Sequence, residues 1–493
     1  MTHSTRRREF LTFVGSCLLS RYLPAAEGSL VVRIEADAKK ALGPLKNIAG
    51  GANHVGEEIY PGAFAQYADR AREIGLKQIR GMSAFAMYVP RFVADKSVNF
   101  NYQDVVTRDE AGQLHYDWTT LDAVVDEVLA IGAQPILELA YMPTCLMDHK
   151  DKRQWLRSLC GLIAAPPVDY ARWEEICFQV VHHTNIERRR GVQYWEAWNE
   201  PTCGGFWPAS FDEYLKLYRH SVAGVKRADP KAKVGGPVIA TNCEKPKMEN
   251  IQAFIDFCGR EQIPCDFLSW HHYTMVPGTE PSDLQQFTEQ ARTFRSWLNK
   301  YPSLSPAELM IDEWGPQKEG WGERLFPSIW AGAAIYTMME AGVDRQHVFT
   351  LWGTPAADYH LAILKHDGTI MPVFNVLKMF SMLGTTRLSA QSSAEGTRVL
   401  AAQTGKEFTL LVIHTPSQPA EADITLSLQN LPLKGNVRYE RFLVDEEHSN
   451  GLKGRANQEL ERVESRIVPV SRKWEETLRL RTPSATLVRL SPA

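Results

Sequence analysis

Three features of this 493-residue sequence predict an α/β fold, a (β/α)8 barrel of the TIM type carrying a C-terminal β-sandwich. Between residues 47 and 384, short apolar runs of strand length alternate with longer stretches of helical periodicity. Eight such runs can be counted over roughly 340 residues, which suits a barrel with some long loops. After Gly384 the helical pattern stops, and short strand-like runs separated by polar turns take over. A doubly wound sheet is the rival fold, but no GxGxxG or P-loop follows an early strand.

Taken in order, residues 1–28 read as an export signal. Arg6-Arg7-Arg8-Glu9-Phe10-Leu11 resembles a twin-arginine pattern, and the apolar stretch from Phe10 to Leu19 precedes Pro24-Ala25-Ala26. That stretch is shorter than the ~20 residues a membrane span needs. The predicted location is therefore periplasmic or extracellular. Val14-Gly15-Ser16-Cys17 is a competing lipoprotein pattern, and a disordered basic terminus is the plain alternative. Residues 29–46 follow, where Leu30-Val31-Val32-Arg33-Ile34 predicts a strand that joins the sandwich.

Within the barrel (47–384), strands are predicted near Asn47–Asn53, Lys77–Gly81, Gln134–Ala140, Gln193–Asn199, Ala232–Gly236, Asp266–His271, Glu308–Glu313 and His347–Trp352. Helices are predicted between most of them: Phe64 to Ile74, ended by Gly75; Leu121 to Leu129, ended by Gly132; then Tyr170–Arg189, Phe211–Ala228 and Phe326–Ala341. In the sandwich (385–493), strands are predicted at Val399–Ala402, Phe408–Ile413, Asp423–Leu426, Arg438–Val444 and Ala485–Leu490.

Composition narrows the function. A net charge of −3 gives no reason to expect nucleic acid or an anionic membrane as partner. Thirteen tryptophans and sixteen tyrosines suit the apolar faces of sugars, although any single aromatic is more often core. The eight cysteines show no CxxC spacing, so neither a zinc site nor a redox motif is indicated; one or two disulfides remain open.

In a barrel, the chemistry sits at the C-terminal ends of the strands. Two carboxylates fall there: Glu200 ends the fourth strand, directly before Pro201, and Glu313 ends the seventh. Glycosidic cleavage needs two carboxyl groups in different protonation states, one to protonate the leaving oxygen and one to attack the anomeric carbon. A nearby like charge disfavours ionisation, which is how such a pair divides its roles. A lone strand-end glutamate would be weak evidence; two on these strands, in tryptophan-rich settings, are stronger.

Several segments then resemble one family. Tyr116-Asp117-Trp118 with Leu121-Asp122, Glu138-Leu139-Ala140-Tyr141-Met142-Pro143 and Trp198-Asn199-Glu200-Pro201 with Phe206-Trp207 are similar to segments of glycoside hydrolase family 39. So are Ser269-Trp270-His271-His272-Tyr273 and Asp312-Glu313-Trp314. The resemblance runs from about Arg80 to Gly384. The family includes β-xylosidases and α-L-iduronidases. The resemblance implies a retaining O-glycosyl hydrolase without cofactor or metal, with Glu200 as acid/base and Glu313 as nucleophile. It further implies that Asn199 binds the 2-hydroxyl of the sugar and that His271 and Tyr273 flank the carboxylates. Arg80 would position the nucleophile, and Trp352 would form a floor for the sugar; Glu138 and Trp314 are further candidates for the pocket wall. Each has a plain alternative: Asn199 as a turn cap, Arg80 as an ion-pair partner, His271 as a core histidine, Glu138 as a hydrogen-bond acceptor behind the site.

One departure bears on specificity. Many family members carry a histidine soon after the strand-two arginine, where this chain reads Arg80-Gly81-Met82-Ser83-Ala84-Phe85; His54 or Tyr88 could compensate. The expectation is a xylosidase-like exo-glycosidase acting on an oligosaccharide or polysaccharide. The alternatives are an endo-acting exopolysaccharide hydrolase and a non-catalytic carbohydrate-binding barrel. A metal-dependent hydrolase lacks support, because His182-His183 and His271-His272 are adjacent pairs whose side chains point apart.

Overall fold

The computed structural model describes residues 30–54, 62, 64–92, 98–148, 156–157, 163–241, 247–274, 281–316, 324–353, 361–365, 367–417 and 421–493. The predicted export segment lies outside them.

Eight parallel strands close into a barrel: Gly51–Asn53, Gln78–Ser83, Gln134–Leu139, Tyr194–Ala197, Lys233–Ala240, Phe267–Thr274, Glu308–Pro316 and Arg345–Val348. They are called barrel strands one to eight below. Each predicted run contains its strand or overlaps it. The eighth is shorter than expected, for the chain leaves the barrel after Val348 and Trp352–Gly353 pairs instead with Leu364–Lys365. The helices follow the apolar periodicity. Phe211–Ala228 and Leu325–Ala341 stand where expected, while the predicted Tyr170–Arg189 helix is α-helical to Val181 and continues as a π-turn over His182–Glu187. Ser210 caps the helix behind strand four by accepting from the Glu213 amide at 3.2 Å.

The barrel interior is layered, as period-two alternation requires. At the bottom Ile136, Tyr194, Phe267 and Met310 form a small apolar cluster of their own. Two residues further along the same strands stand Glu138, Glu196, Ser269 and Asp312, all buried. The barrel core is thus apolar below and polar directly beneath the mouth.

The C-terminal unit is one nine-stranded mixed sheet, antiparallel except where Leu30–Pro44 runs parallel to Glu421–Gln429. It folds over on itself. Tyr439 and Trp474, on strands far apart in the hydrogen-bonding order, meet at 5.6 Å, around a core that includes Val32, Ile34, Leu410, Ile424 and Leu490. Two of its strands, Thr386–Ser392 and Glu461–Val470, carry too few buried apolar residues to stand out in the sequence, while Lys473–Arg481 buries Trp474, Leu478 and Leu480 and was not among the predicted strands. Its other face packs on the barrel helices, where Leu411, Ile413 and Leu487 join the main core.

Candidate active site

Two β-bulges shape the mouth. On strand two, Ile79 pairs with Pro135 and Met82 with Leu137, so Arg80 and Gly81 together oppose one residue. Gly81 adopts φ +101°, and a Cβ there would lie 2.2 Å from the His54 carbonyl oxygen, so only glycine fits beside Arg80. On strand seven, Trp270 pairs with Ile311 and His271 with Glu313, leaving Asp312 as the extra residue. Strict alternation would send Asp312 inward and Glu313 outward. The bulge lets both face the barrel axis.

Strand four ends under strain. Trp198 and Glu200 have φ of 73° and 45°, a region that bulky residues avoid. Trp198 is held there by packing on Tyr141, Trp173 and Trp207 and by its indole N–H, which donates to the Phe206 carbonyl at 3.1 Å. The Glu200 amide donates to the Val238 carbonyl at 3.1 Å.

Arg80 is the hub of the site. Its Nε donates to Glu196 Oε2 at 2.8 Å, Nη1 to Glu313 Oε2 at 2.9 Å and Nη2 to Asn199 Oδ1 at 2.8 Å. Glu138 Oε1 lies 2.9 Å from Nη2. Burial pushes the Glu138 carboxyl up to about 7 despite this contact, with Glu196 and Glu313 adding to the rise.

Above this hub lie the two strand-end glutamates. Tyr273 donates its hydroxyl hydrogen bond to Glu313 Oε1. His271 Nδ1 lies 2.8 Å from Glu200 Oε1, and its Nε2 lies 3.6 Å from Glu313 Oε2. Burial opposes charging of His271, but Glu313, Asp312 and the bond to Glu200 outweigh it and raise the imidazole to about 9. Its neighbour His272 faces the other way, near Thr241 and Gln290, where burial lowers it to about 4. One oxygen each of Glu200 and Glu313 and one nitrogen of His271 lie within 4.8 Å of one another. That geometry would also admit a cation, but Arg80 and His271 already bring positive charge to both carboxylates.

The structure therefore gathers Arg80, Glu138, Asn199, Glu200, His271, Tyr273 and Glu313 into one cluster. It corrects Trp314. That residue follows Glu313 on the strand, so it faces outward, fully buried between Phe287 and Trp330 with its indole N–H on Gln346 Oε1 at 2.7 Å. It is core. The side chains of Trp352 and Tyr88 lie outside the described residues. His54 directly follows strand one beside Arg80, its amide donating to the Arg80 carbonyl at 2.9 Å. Cys145, Cys177, Cys258 and Cys265 are free thiols.

Sequence reasoning missed three members. Tyr141 accepts from Asn199 Nδ2 at 3.4 Å. Glu196 and Asp312 are fully buried against Arg80. The signal for Glu196 was present: an acid inside the otherwise apolar run Tyr194–Ala197, four residues before Glu200, belongs to the inward face.

A closed parallel barrel with two glutamates at the ends of strands four and seven, bridged by the strand-six His271 and with a strand-two arginine on Glu313, defines a barrel of the glycoside-hydrolase type. Comparison with known proteins narrows the class. The sequence profile of glycosyl hydrolases family 39 matches residues 97–455, and the chain belongs to that family. It is 36% identical over 266 residues to a β-xylosidase of Geobacillus stearothermophilus, covering 53% of this chain and 48% of the relative. A β-xylosidase of Caldicellulosiruptor saccharolyticus is 32% identical over 194 residues, 38% of each chain. The match thus spans about half or less of these relatives. Among solved structures, a monomeric β-xylosidase from Caulobacter crescentus superposes with a TM-score of 0.76 at 18% identity, over 93% of this chain and 99% of the other. A family 39 enzyme from Xanthomonas axonopodis pv. citri gives 0.77 at 20%, over 96% and 100%. These two likenesses establish the fold.

Proposed function

We propose that this chain is a retaining glycosidase, a xylosidase-like enzyme that removes a sugar from the end of an oligosaccharide or polysaccharide by double displacement. Glu313 attacks the anomeric carbon while Glu200 gives its proton to the leaving oxygen; Glu200 then takes a proton from the water that releases the sugar. The observation that carries this reading is the short separation of the two carboxylates, within 4.8 Å. Retaining pairs stand ~5–5.5 Å apart, and inverting pairs leave ~6.5–9.5 Å for a water.

The surrounding groups support these roles. Arg80 and Tyr273 donate to Glu313, which suits a nucleophile that must remain a carboxylate. His271 sits between the pair and can stabilise either when it is charged. Asn199 has its Oδ1 occupied by Arg80, so its Nδ2 is the atom that would donate to the sugar's 2-hydroxyl. The sugar preference is carried over from the two relatives described as β-xylosidases. Residues 1–28 would export the protein to the periplasm or beyond; replacing Arg6, Arg7 and Arg8 by Lys and fractionating the cells tests that, with unchanged export counting against it.

The test of activity is hydrolysis of aryl glycosides by the purified protein: β-xyloside, α-L-arabinoside, β-glucoside, β-galactoside and α-L-iduronide. Glu313→Ala should lower kcat by at least ~10⁴-fold. Turnover that survives this substitution would overturn the assignment of the nucleophile.

A further inference from the structure

Glu196 and Asp312 take no part in the displacement, yet both are fully buried directly beneath Arg80, whose Nε lies 2.8 Å from Glu196 Oε2 and 3.5 Å from Asp312 Oδ2. Glu196 Oε2 is engaged by Arg80 Nε at 2.8 Å, but Oε1 has no donor among the described residues, and neither has either oxygen of Asp312. The nearest cationic atoms to Asp312 Oδ2 are Arg80 Nε at 3.5 Å and His271 Nε2 at 3.7 Å, beyond hydrogen-bond range. Two carboxylates facing one guanidinium N–H, with three of their four oxygens unpartnered among the described residues, would repel at high energy in the buried interior if both were charged.

We propose that Glu196 and Asp312 share one proton, held on Asp312 and donated to Glu196 Oε1, and that the singly charged pair is the positioning element that aims Arg80 at Glu313 and Asn199. Asp312 is the member that keeps the proton because Glu196 faces the guanidinium at closer range. Burial first, and Glu196 next, hold the Asp312 carboxyl well above the usual carboxylate range, against the pull of His271 and Arg80. With one negative charge beneath it rather than two, Arg80 keeps more of its positive field for the nucleophile. The other ionisable groups that act on the pair are Glu138 and Tyr214, while Glu313 and His347 act on Arg80. The bulge at Asp312 makes the arrangement possible, since it turns two consecutive residues of strand seven inward.

This inference rests on the proposed roles of Glu313 and Glu200 only for its kinetic arm. Asp312→Asn keeps a donor in place and leaves the pair's charge unaltered, so the acidic limb of the kcat/KM pH profile should not move, whatever the change in its height. A limb displaced to lower pH would mean that an ionised Asp312 had been removed, and would overturn the proposal. Glu196→Ala frees Arg80 and should cost ~10²-fold in kcat with little change in KM. Glu196→Gln, which still accepts from Arg80, should recover most of that loss; equal activity of the two variants would count against positioning.

The spectroscopic arm is independent of catalysis. The infrared difference between wild type and Asp312→Asn near neutral pH should contain the carbonyl band of a protonated carboxylic acid. Should Asp312→Asn fail to fold, the difference against Glu196→Gln serves, because Asp312 there accepts from the amide and ionises. Absence of the band overturns the shared proton. If Glu313→Ala proves active while the band is present, the catalytic reading has failed and the proton-sharing pair stands.

Discussion

The barrel mouth and the C-terminal sheet are both built from strands, and they handle charge in opposite ways. In the sheet, charged residues pair mostly at the surface, as Arg466–Glu476 does at 2.5 Å and partly exposed, and even the buried Glu440 is met by the partly exposed Arg462 and Arg489. The strand Glu421–Gln429 buries Ile424, Leu426 and Leu428 by simple alternation. In the mouth, Arg80 and four carboxyls are packed beneath or around a site almost without water contact. There the strands carry bulges and left-handed residues. Exposed pairs contribute about 0–1 kcal/mol, whereas a broken buried pair leaves a desolvated charge that costs ~3–5 kcal/mol. The sheet is arranged for stability; the mouth holds groups that destabilise the fold unless every partner is present.

That contrast can be broken or sharpened by substitution. Glu200→Ala should lose ~10²–10⁴-fold on glycosides with poor leaving groups and far less on activated aryl glycosides; equal losses on both would remove Glu200 as proton donor. Arg80→Met should lower unfolding free energy by ~3–5 kcal/mol in addition to its effect on rate. Chemical denaturation measures it, and a near-neutral result would show that the buried carboxyls had taken up protons instead.

Thermal melting against pH comes next. His271, raised from 6.5 to about 9, contributes stability that is complete below 6.5 and is lost as pH rises through about 9. Glu138, raised from 4.5 to about 7, likewise contributes stability that is complete below 4.5 and lost as pH rises through about 7. Stability should therefore fall with rising pH across both windows, and Glu138→Gln should flatten the lower one. A Tm that climbs between them would contradict both shifts. The smallest effect is expected in the sheet. Arg466→Ala should change unfolding free energy by about 1 kcal/mol or less, and a larger loss would mean that the stacking of Arg466 on Tyr439 at 4.6 Å carries more than the ion pair.

Much of the barrel was legible because its signals are local. Apolar runs of strand length, glycine stops at Gly75 and Gly132, and helical periodicity such as Phe211–Ala228 each depend on a few neighbouring residues. Glu461–Val470 escaped notice because an edge strand needs few buried side chains. In the site, Glu200 and Glu313 could be found from their places at strand ends. Trp314 was misplaced as a pocket residue because the way it faces depends on the bulge at Asp312, two residues earlier. The same bulge hid Asp312: adjacent acids on a strand ordinarily face opposite ways.

The sequence by itself therefore determined the order of strands and helices, the family, and the glutamates that end strands four and seven, since each is written in short stretches of chain. Only the tertiary structure decided which of these side chains meet. Arg80 reaches residues as far along the chain as Glu313, and it does so through barrel closure and two bulges. Those are set by how neighbouring strands pair, and no run of consecutive residues encodes them.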